Sequence, residues 1–460
     1  MLPVVALVGR PNVGKSTLFN VLTGTRAAIV ADVPGLTRDR QYGYGRLGPV
    51  PSVVIDTGGL VENPSPIEAQ MRAQTERAVS EADRVILVAD ARAGLAPQDQ
   101  FVARELRRAG KPVTLALNKA EGLDPDTVAA DFHALGFGEP QVISASHGQG
   151  CETLMEQVLA GLDAASAPEP ETDEIRIAII GRPNVGKSTL VNRLLGEERV
   201  IANDQPGTTR DSILVPFTRD GRRFVLIDTA GVRRRARVAD VVERASVAKT
   251  LQAIAAAHVV ILVLDAHDTV AEQDASVLGI ALERGRALVI AVNKWDGIAS
   301  EQRAEIERQL ALRLDFVPFA PLHFISARHG TGIGELVQST VRAYEAAMRA
   351  MPTRDLTRTL EQALTVHQPP LVRGRRIKLR YAHQGGRNPP RIVIHGNQTA
   401  AVPAAYTRYL ANTFRKRYDL YATPVLIEYR TDANPFEREP GRRARAGGRR
   451  PSRTTRKRSR

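Results

Sequence analysis

What is scarce in this chain bounds it first. It has one cysteine, Cys151, so no internal disulfide framework exists and a reducing compartment is expected. Aromatic residues make up 5% and tryptophan occurs once, which leaves aliphatic side chains to build the core. No run of 18 apolar residues occurs, which excludes a helical membrane span. Met1-Leu2-Pro3 leads directly into apolar Val4–Val8 with no basic leader or cleavage site, so a cytoplasmic protein that avoids membranes is expected. Acid is missing from residues 441–460, which carry ten Arg and Lys. Those ten supply most of the net charge of +14 and leave +4 for the other 440 residues. The basic character is therefore mainly a property of the tail.

At 460 residues the chain exceeds a single hydrophobic core. It contains one octapeptide twice, Gly9-Arg10-Pro11-Asn12-Val13-Gly14-Lys15-Ser16 and Gly181-Arg182-Pro183-Asn184-Val185-Gly186-Lys187-Ser188. Each copy follows an apolar run and precedes a helical pattern, the context of a phosphate-binding loop. Glycines let the backbone wrap the phosphates, and N–H groups at the helix start point at the anion. Lys15 and Lys187 are placed to neutralise β/γ oxygens, and Ser16 and Ser188 to ligate Mg²⁺.

Further motifs repeat at the same offset of 172 residues: Pro34-Gly35-Leu36-Thr37-Arg38-Asp39 with Pro206-Gly207-Thr208-Thr209-Arg210-Asp211, and Asp56-Thr57-Gly58-Gly59 with Asp228-Thr229-Ala230-Gly231. Thr37 and Thr209 suit the Mg²⁺ shell and the γ-phosphate, in loops ordered while that phosphate is present. Asp56 and Asp228 end apolar strands and support the metal, while the glycines let an N–H approach the γ-phosphate. A surface turn is the plainer reading of each motif taken alone.

Base choice rests on Asn293-Lys294-Trp295-Asp296. A carboxylate accepts both the N1–H and the 2-amino N–H of guanine, and adenine offers no such pair. The first copy reads Asn118-Lys119-Ala120-Glu121, one methylene longer, so its grip on guanine is in question. Ser144-Ala145-Ser146 and Ser326-Ala327-Arg328 follow strands where a backbone N–H can meet guanine O6. Trp295 is expected to pack or shield, and His147, His258 and His323 lack metal-like spacing. Arg233, Arg234, Arg235 and Arg237 follow the second Asp-x-x-Gly and face RNA, another domain or water.

Apolar strands are expected at Val4–Val8, Val53–Asp56, Arg84–Ala89, Val113–Asn118 and Gln141–Ile143. In the second copy they fall near Arg176–Ile180, Phe224–Asp228, Val259–Leu264, Leu288–Asn293 and His323–Ile325. With helices between them they predict an α/β fold, a mainly parallel sheet covered on both faces, twice over. The predicted divisions are 1–162, an acidic linker 163–174, a second copy 175–350, an α+β domain 351–436 and a disordered basic tail 437–460. The α+β domain reads αββαβ. Arg373, Arg375, Arg376, Lys378, Arg380, Arg387 and Arg391 crowd its strands, and G-x-x-G is absent from 354–436.

The doubled array resembles the bacterial tandem GTPase family Der (EngA) over about residues 3–435. The resemblance implies a GTPase that binds GTP/GDP with Mg²⁺ and acts on the large ribosomal subunit and its rRNA during maturation. It also implies a KH-like third domain. Asp296 matches the family's base-reading residue and Glu121 departs from it. Leu60 and Val232 stand where Ras-type enzymes place a water-orienting Gln. Family likeness therefore points to K⁺ activation, with Asn12 and Asn184 helping to hold the ion and a loop-shaping role as their alternative. A monomer is expected. Competing readings are an RNA-binding scaffold whose first site does not turn over, and a GTPase of tRNA modification or membranes, which would want a C-terminal Cys or an apolar anchor.

Overall fold

The computed structural model describes residues 2–24, 29–30, 41–57, 75–162, 174–196, 214–227, 247–268, 270–372 and 375–431. Linker residues 163–173, the tail, both Thr-bearing loops and the arginines at 233–237 lie outside them, as does Arg373.

Strand Val4–Val8 is buried at every position, because five consecutive apolar residues satisfy a strand covered on both faces. It lies between Ser52–Asp56 and Arg84–Asp90, parallel to both, and Val113–Asn118 and Gln141–Val142 extend the sheet on one side. On the other side Gln41–Gly45 and Ile29–Val30 add antiparallel edge strands that the apolar pattern does not reveal. The second sheet repeats this layout, in the order Leu322–Phe324, Ala287–Asn293, Val259–Asp265, Ile175–Ile180, Arg222–Ile227, Val215–Arg219. Its edge strand Val215–Arg219 is again antiparallel and absent from the sequence reading. Helices Lys15–Thr23 and Lys187–Leu195 leave the phosphate loops directly, at the carboxyl ends of the central strands. That is where ligands bind in open α/β sheets.

The third domain runs helix Thr353–Val366, strands Lys378–Gly386 and Arg391–Asn397, helix Ala404–Arg417 and strand Leu426–Thr431, the expected αββαβ order. Its first two strands are antiparallel and the last two parallel. Arg375–Arg376 forms a separate short strand that pairs antiparallel with Leu371–Val372. Leu356, Leu360, Leu410 and Phe414 pack with Leu379, Ile392 and Ile394 to form its core.

The domains are closely joined. Tyr44 buries its ring under the Arg284 guanidinium, 3.2 Å from the ring centroid, and its hydroxyl donates to Leu251 O at 2.7 Å. Burial pushes that phenol up to about 12, keeping it a donor at all working pH values. Leu288 N donates to Ala422 O at 2.7 Å, and Arg286 Nη1 to Asn388 O at 3.1 Å, tying the third domain to the second. Among the described residues no helix is long and apolar enough to cross a membrane.

Candidate nucleotide sites

Both phosphate loops adopt one geometry. Asn12 and Asn184 take left-handed backbone, φ 66° and 65°, and Gly14 and Gly186 follow at φ 95° and 99°. Asn tolerates that region better than other non-glycine residues. At Gly14 and Gly186 glycine is required twice over, since a Cβ would stand 2.3 Å from Asn118 Nδ2 and 2.1 Å from Asn293 Nδ2. The reason is that each Asn reaches under its loop. Asn118 Nδ2 donates to Val13 O at 2.9 Å while its Oδ1 accepts from Ala145 N at 2.9 Å. Asn293 does the same with Val185 O at 2.8 Å and Ala327 N at 2.9 Å. One buried amide thereby holds three motifs of each copy in register.

Lys119 and Lys294, also left-handed, continue the bracing. Lys119 Nζ donates to Asn12 O at 2.8 Å and to Asp90 Oδ2 at 2.6 Å. Lys294 Nζ reaches Asp265 Oδ2 at 2.5 Å. Asp90 and Asp265 were not picked out from sequence, though each closes an equivalent apolar strand, and their carboxyls sit below the ordinary range. Burial pushes upward, and the lysine together with backbone N–H groups outweighs it.

The loop arginines point sideways rather than at a ligand. Arg10 Nε lies 3.3 Å from Asp99 Oδ1, and Arg182 Nε 2.9 Å from Asp274 Oδ2. Each of these buried aspartates also accepts from the N–H three residues earlier, Ala96 or Ala271, at its own helix start. A buried pair of this kind adds little net stability, but losing one partner leaves a stranded charge. Pro11 and Pro183 sit beside these arginines at the loop apex, exposed. The repeated Ala-x-Gln-Asp at 96–99 and 271–274 was the available sequence signal.

In the first site Lys15 Nζ donates to Gly9 O at 3.1 Å and Arg10 O at 2.8 Å, and Ser16 Oγ donates to Asp56 Oδ2 at 2.6 Å. Asp56 Oδ1 is buried without a hydrogen-bond partner among the described residues. An orphaned carboxylate oxygen beside a serine hydroxyl suits a hard cation or its water, so this donor set fits Mg²⁺. Thr57 turns away, its hydroxyl donating to Leu7 O at 2.6 Å. In the second site Lys187 Nζ donates to Arg182 O at 2.7 Å. Ser188 begins the same helix turn. Gly58, Gly59, Leu60, Asp228, Thr229, Ala230, Gly231, Val232, Thr37 and Thr209 lie outside the described residues.

Burial draws the Lys15 ammonium down to about 8, against the pull of Asp56. A bound triphosphate restores the charge, so the complex holds more protons than the free site between pH 8 and the ordinary lysine value. Affinity at the first site should therefore fall as pH rises through that window. Calorimetry at pH 8 in two buffers of different ionisation enthalpy should register proton uptake with GDP, and Lys15→Ala should abolish that share.

At the base end, Glu121 and Asp296 occupy equivalent places. Each is held below its usual range chiefly by its own backbone N–H and a serine hydroxyl, Ser144 for Glu121 and Ser326 for Asp296, with the serine leading at Asp296. Arg92 clamps the first loop, donating to Lys119 O at 3.0 Å and Glu121 O at 2.7 Å. His329 Nε2 lies 3.2 Å from Asp296 Oδ2 in the second. Ala120 N is pinned to Ile143 O and Trp295 N to Ile325 O, both at 3.2 Å. Trp295 packs on Phe324 with centroids 4.3 Å apart.

The family model described as a 50S ribosome-binding GTPase matches residues 4–119 and 176–294. The one described as the C-terminal KH-domain-like part of EngA bacterial GTPases matches 350–430. The GTPase Der of Thioalkalivibrio sulfidiphilus is 56% identical over 439 residues, covering 95% of each chain. That of Hahella chejuensis is 55% identical over 437 residues, covering 95% of this chain and 93% of the relative.

Proposed function

Since this chain belongs to the Der (EngA) family of GTP-hydrolysing enzymes, we propose that it is a two-site GTPase switch acting in assembly of the large ribosomal subunit. The observation that carries this reading is the pairing, in one chain, of two ribosome-binding-type GTPase copies with a KH-like module. In that module the three-stranded sheet has a single acid, Glu428, against Lys378, Arg380, Arg391 and Arg430.

Each site would work through positioning and charge. Lys15 and Lys187 leave their loop carbonyls for the β/γ oxygens, the loop N–H groups wrap the phosphates, and Asp296 and Glu121 hold guanine. Mg²⁺, when bound, neutralises charge on the β and γ oxygens; Ser16, Thr37 and Asp56 would hold it in the first site, Ser188, Thr209 and Asp228 in the second. Asn12 and Asn184, at the loop apex, would help to hold a K⁺ ion, which would supply positive charge toward the bridging oxygen. With no Gln at Leu60 or Val232, unassisted turnover is expected at roughly 10⁻⁴ to 10⁻² s⁻¹. Turnover should rise severalfold in K⁺ over Na⁺ buffer, and equal rates would remove the ion from the scheme.

Sedimentation with ribosomal particles, in GDP and in a non-hydrolysable GTP analogue, tests the switch. Co-migration with large-subunit particles in one nucleotide state only is expected, with the free chain monomeric. No co-migration in either state would overturn the reading.

A further inference from the structure

Each carboxylate at the base end has a basic side chain beside it, and the two copies recruit theirs from different loops. In the first site Arg92, two residues after Asp90, has Nη2 3.6 Å from Glu121 Oε1. Its counterpart in the second copy, His267, turns to Asp265 instead, with Nδ1 3.2 Å from Oδ1. Asp296 is met by His329, whose Nε2 lies 3.2 Å from Oδ2. The equivalent His147 of the first copy points Nδ1 at the Ser144 and Ser146 hydroxyls, each 3.0 Å away. Both histidines stand in the same Ser-Ala-x-His-Gly, so the motif alone does not foretell the difference.

The loop that carries His329 is fastened at several points. Arg193, on the helix that leaves the phosphate loop, donates Nε to Ala327 O at 3.3 Å and Nη2 to Arg328 O. Val21 holds that helix position in the first copy, and its side chain has nothing to donate. Ser326 Oγ accepts from His329 N at 3.2 Å, which leaves the hydroxyl proton for Asp296. Gly330 N closes the turn on Ser326 O at 2.7 Å. The Asp296 and His329 side chains stay 38% and 57% exposed, so the carboxylate remains accessible to a base.

We propose that His329 is a positioning residue for guanine recognition in the second site. Its Nε2–H holds Asp296 Oδ2, so that the carboxylate presents both oxygens to the N1–H and 2-amino donors at once. A terminal carboxylate turns over a broad range; a single hydrogen bond from the base tolerates that, and two parallel ones do not. Each carboxylate oxygen has two lone pairs, so Oδ2 serves the imidazole and the base together. The Arg92 guanidinium, beyond hydrogen-bond distance of Glu121 Oε1, does not supply the same contact in the first site. The inference rests on the reading of Asp296 as the guanine-binding carboxylate and adds the group that aims it.

The test exploits Trp295, the single tryptophan of the chain, which adjoins Asp296 where the first copy has Ala120. In the intact protein, energy transfer from Trp295 to methylanthraniloyl-GDP reports on the second site. Unlabelled GDP, or inosine diphosphate, which lacks the 2-amino group, then displaces the label. His329→Ala should weaken GDP about 3- to 10-fold and leave inosine diphosphate nearly unchanged, so the preference for GDP narrows by about that factor. His329→Gln, which keeps a side-chain N–H at similar reach, should restore the preference. His329→Asn, polar but too short to reach Oδ2, should repeat the alanine result and serves if the alanine variant does not fold. An equal loss for both nucleotides, the mark of a merely disturbed loop, would overturn the proposal. So would an unchanged preference, or a glutamine variant that behaves like alanine. Wild-type protein that shows no transfer, or that binds GDP and inosine diphosphate equally, would sink the reading of Asp296 itself and this inference with it.

Discussion

Asp296→Asn should lower the affinity of the second site for GTP on the order of 10²- to 10³-fold and raise its affinity for xanthosine triphosphate. In the proposed mode, two charge-assisted hydrogen bonds from guanine N1–H and its 2-amino group would end on this carboxylate, each worth roughly 1.5–3 kcal/mol. An amide keeps one acceptor and offers an N–H that clashes with the amino group. Xanthine carries a carbonyl at that position, which the amide N–H can meet. Ser326 and the loop N–H favour the charged form of Asp296, so the carboxylate is available as an acceptor. The pinning of Trp295 N to Ile325 O keeps the loop in place in the variant. Titration with fluorescent guanosine and xanthosine nucleotides reads the result, and unchanged preference would remove Asp296 from base recognition. Glu121→Gln should shift the first site the same way if its longer side chain reads the same edge.

Lys15→Ala and Lys187→Ala should each abolish turnover at one site, by about 10²- to 10³-fold, and leave the other running. Single variants would then keep the share of the untouched site, and the double variant would retain almost none. The buried Lys15 ammonium is already costly in the free protein, as its fall to about 8 indicates, so its removal should not unfold the domain. Phosphate release under saturating GTP, measured per variant, checks this. Full activity in the double variant would mean that the chemistry lies elsewhere.

Much of the scaffold was legible because local pattern and tertiary role coincide. Val4–Val8 and Val113–Asn118 are apolar runs closed by Gly or Asn, and they appear as strands with the expected bounds. Helix Lys15–Thr23 starts at the residue that the phosphate loop predicts. The edge strands were hidden for the opposite reason. Gln41–Gly45 contains two glycines in five residues, a poor strand by propensity. Gly43 is there because a Cβ would lie 2.6 Å from Thr23 Cγ2, so the helix packs where a side chain would stand. Val215–Arg219 contains Pro216, which reads as a breaker, yet on an edge strand its missing N–H costs nothing.

The sequence by itself determined the two phosphate loops, the duplicated α/β plan and the basic third domain, and it placed the two carboxylates proposed for the base end. Each is written in contiguous residues whose chemistry is local. Only the tertiary structure decided that Arg10 and Arg182 turn to Asp99 and Asp274, that Asn118 and Asn293 stitch three motifs together, and that His329 meets Asp296. Those pairings depend on strand register and on which loop ends the sheet brings side by side. Contacts between residues separated by many positions are set by how the elements pack, and no short stretch of sequence encodes that.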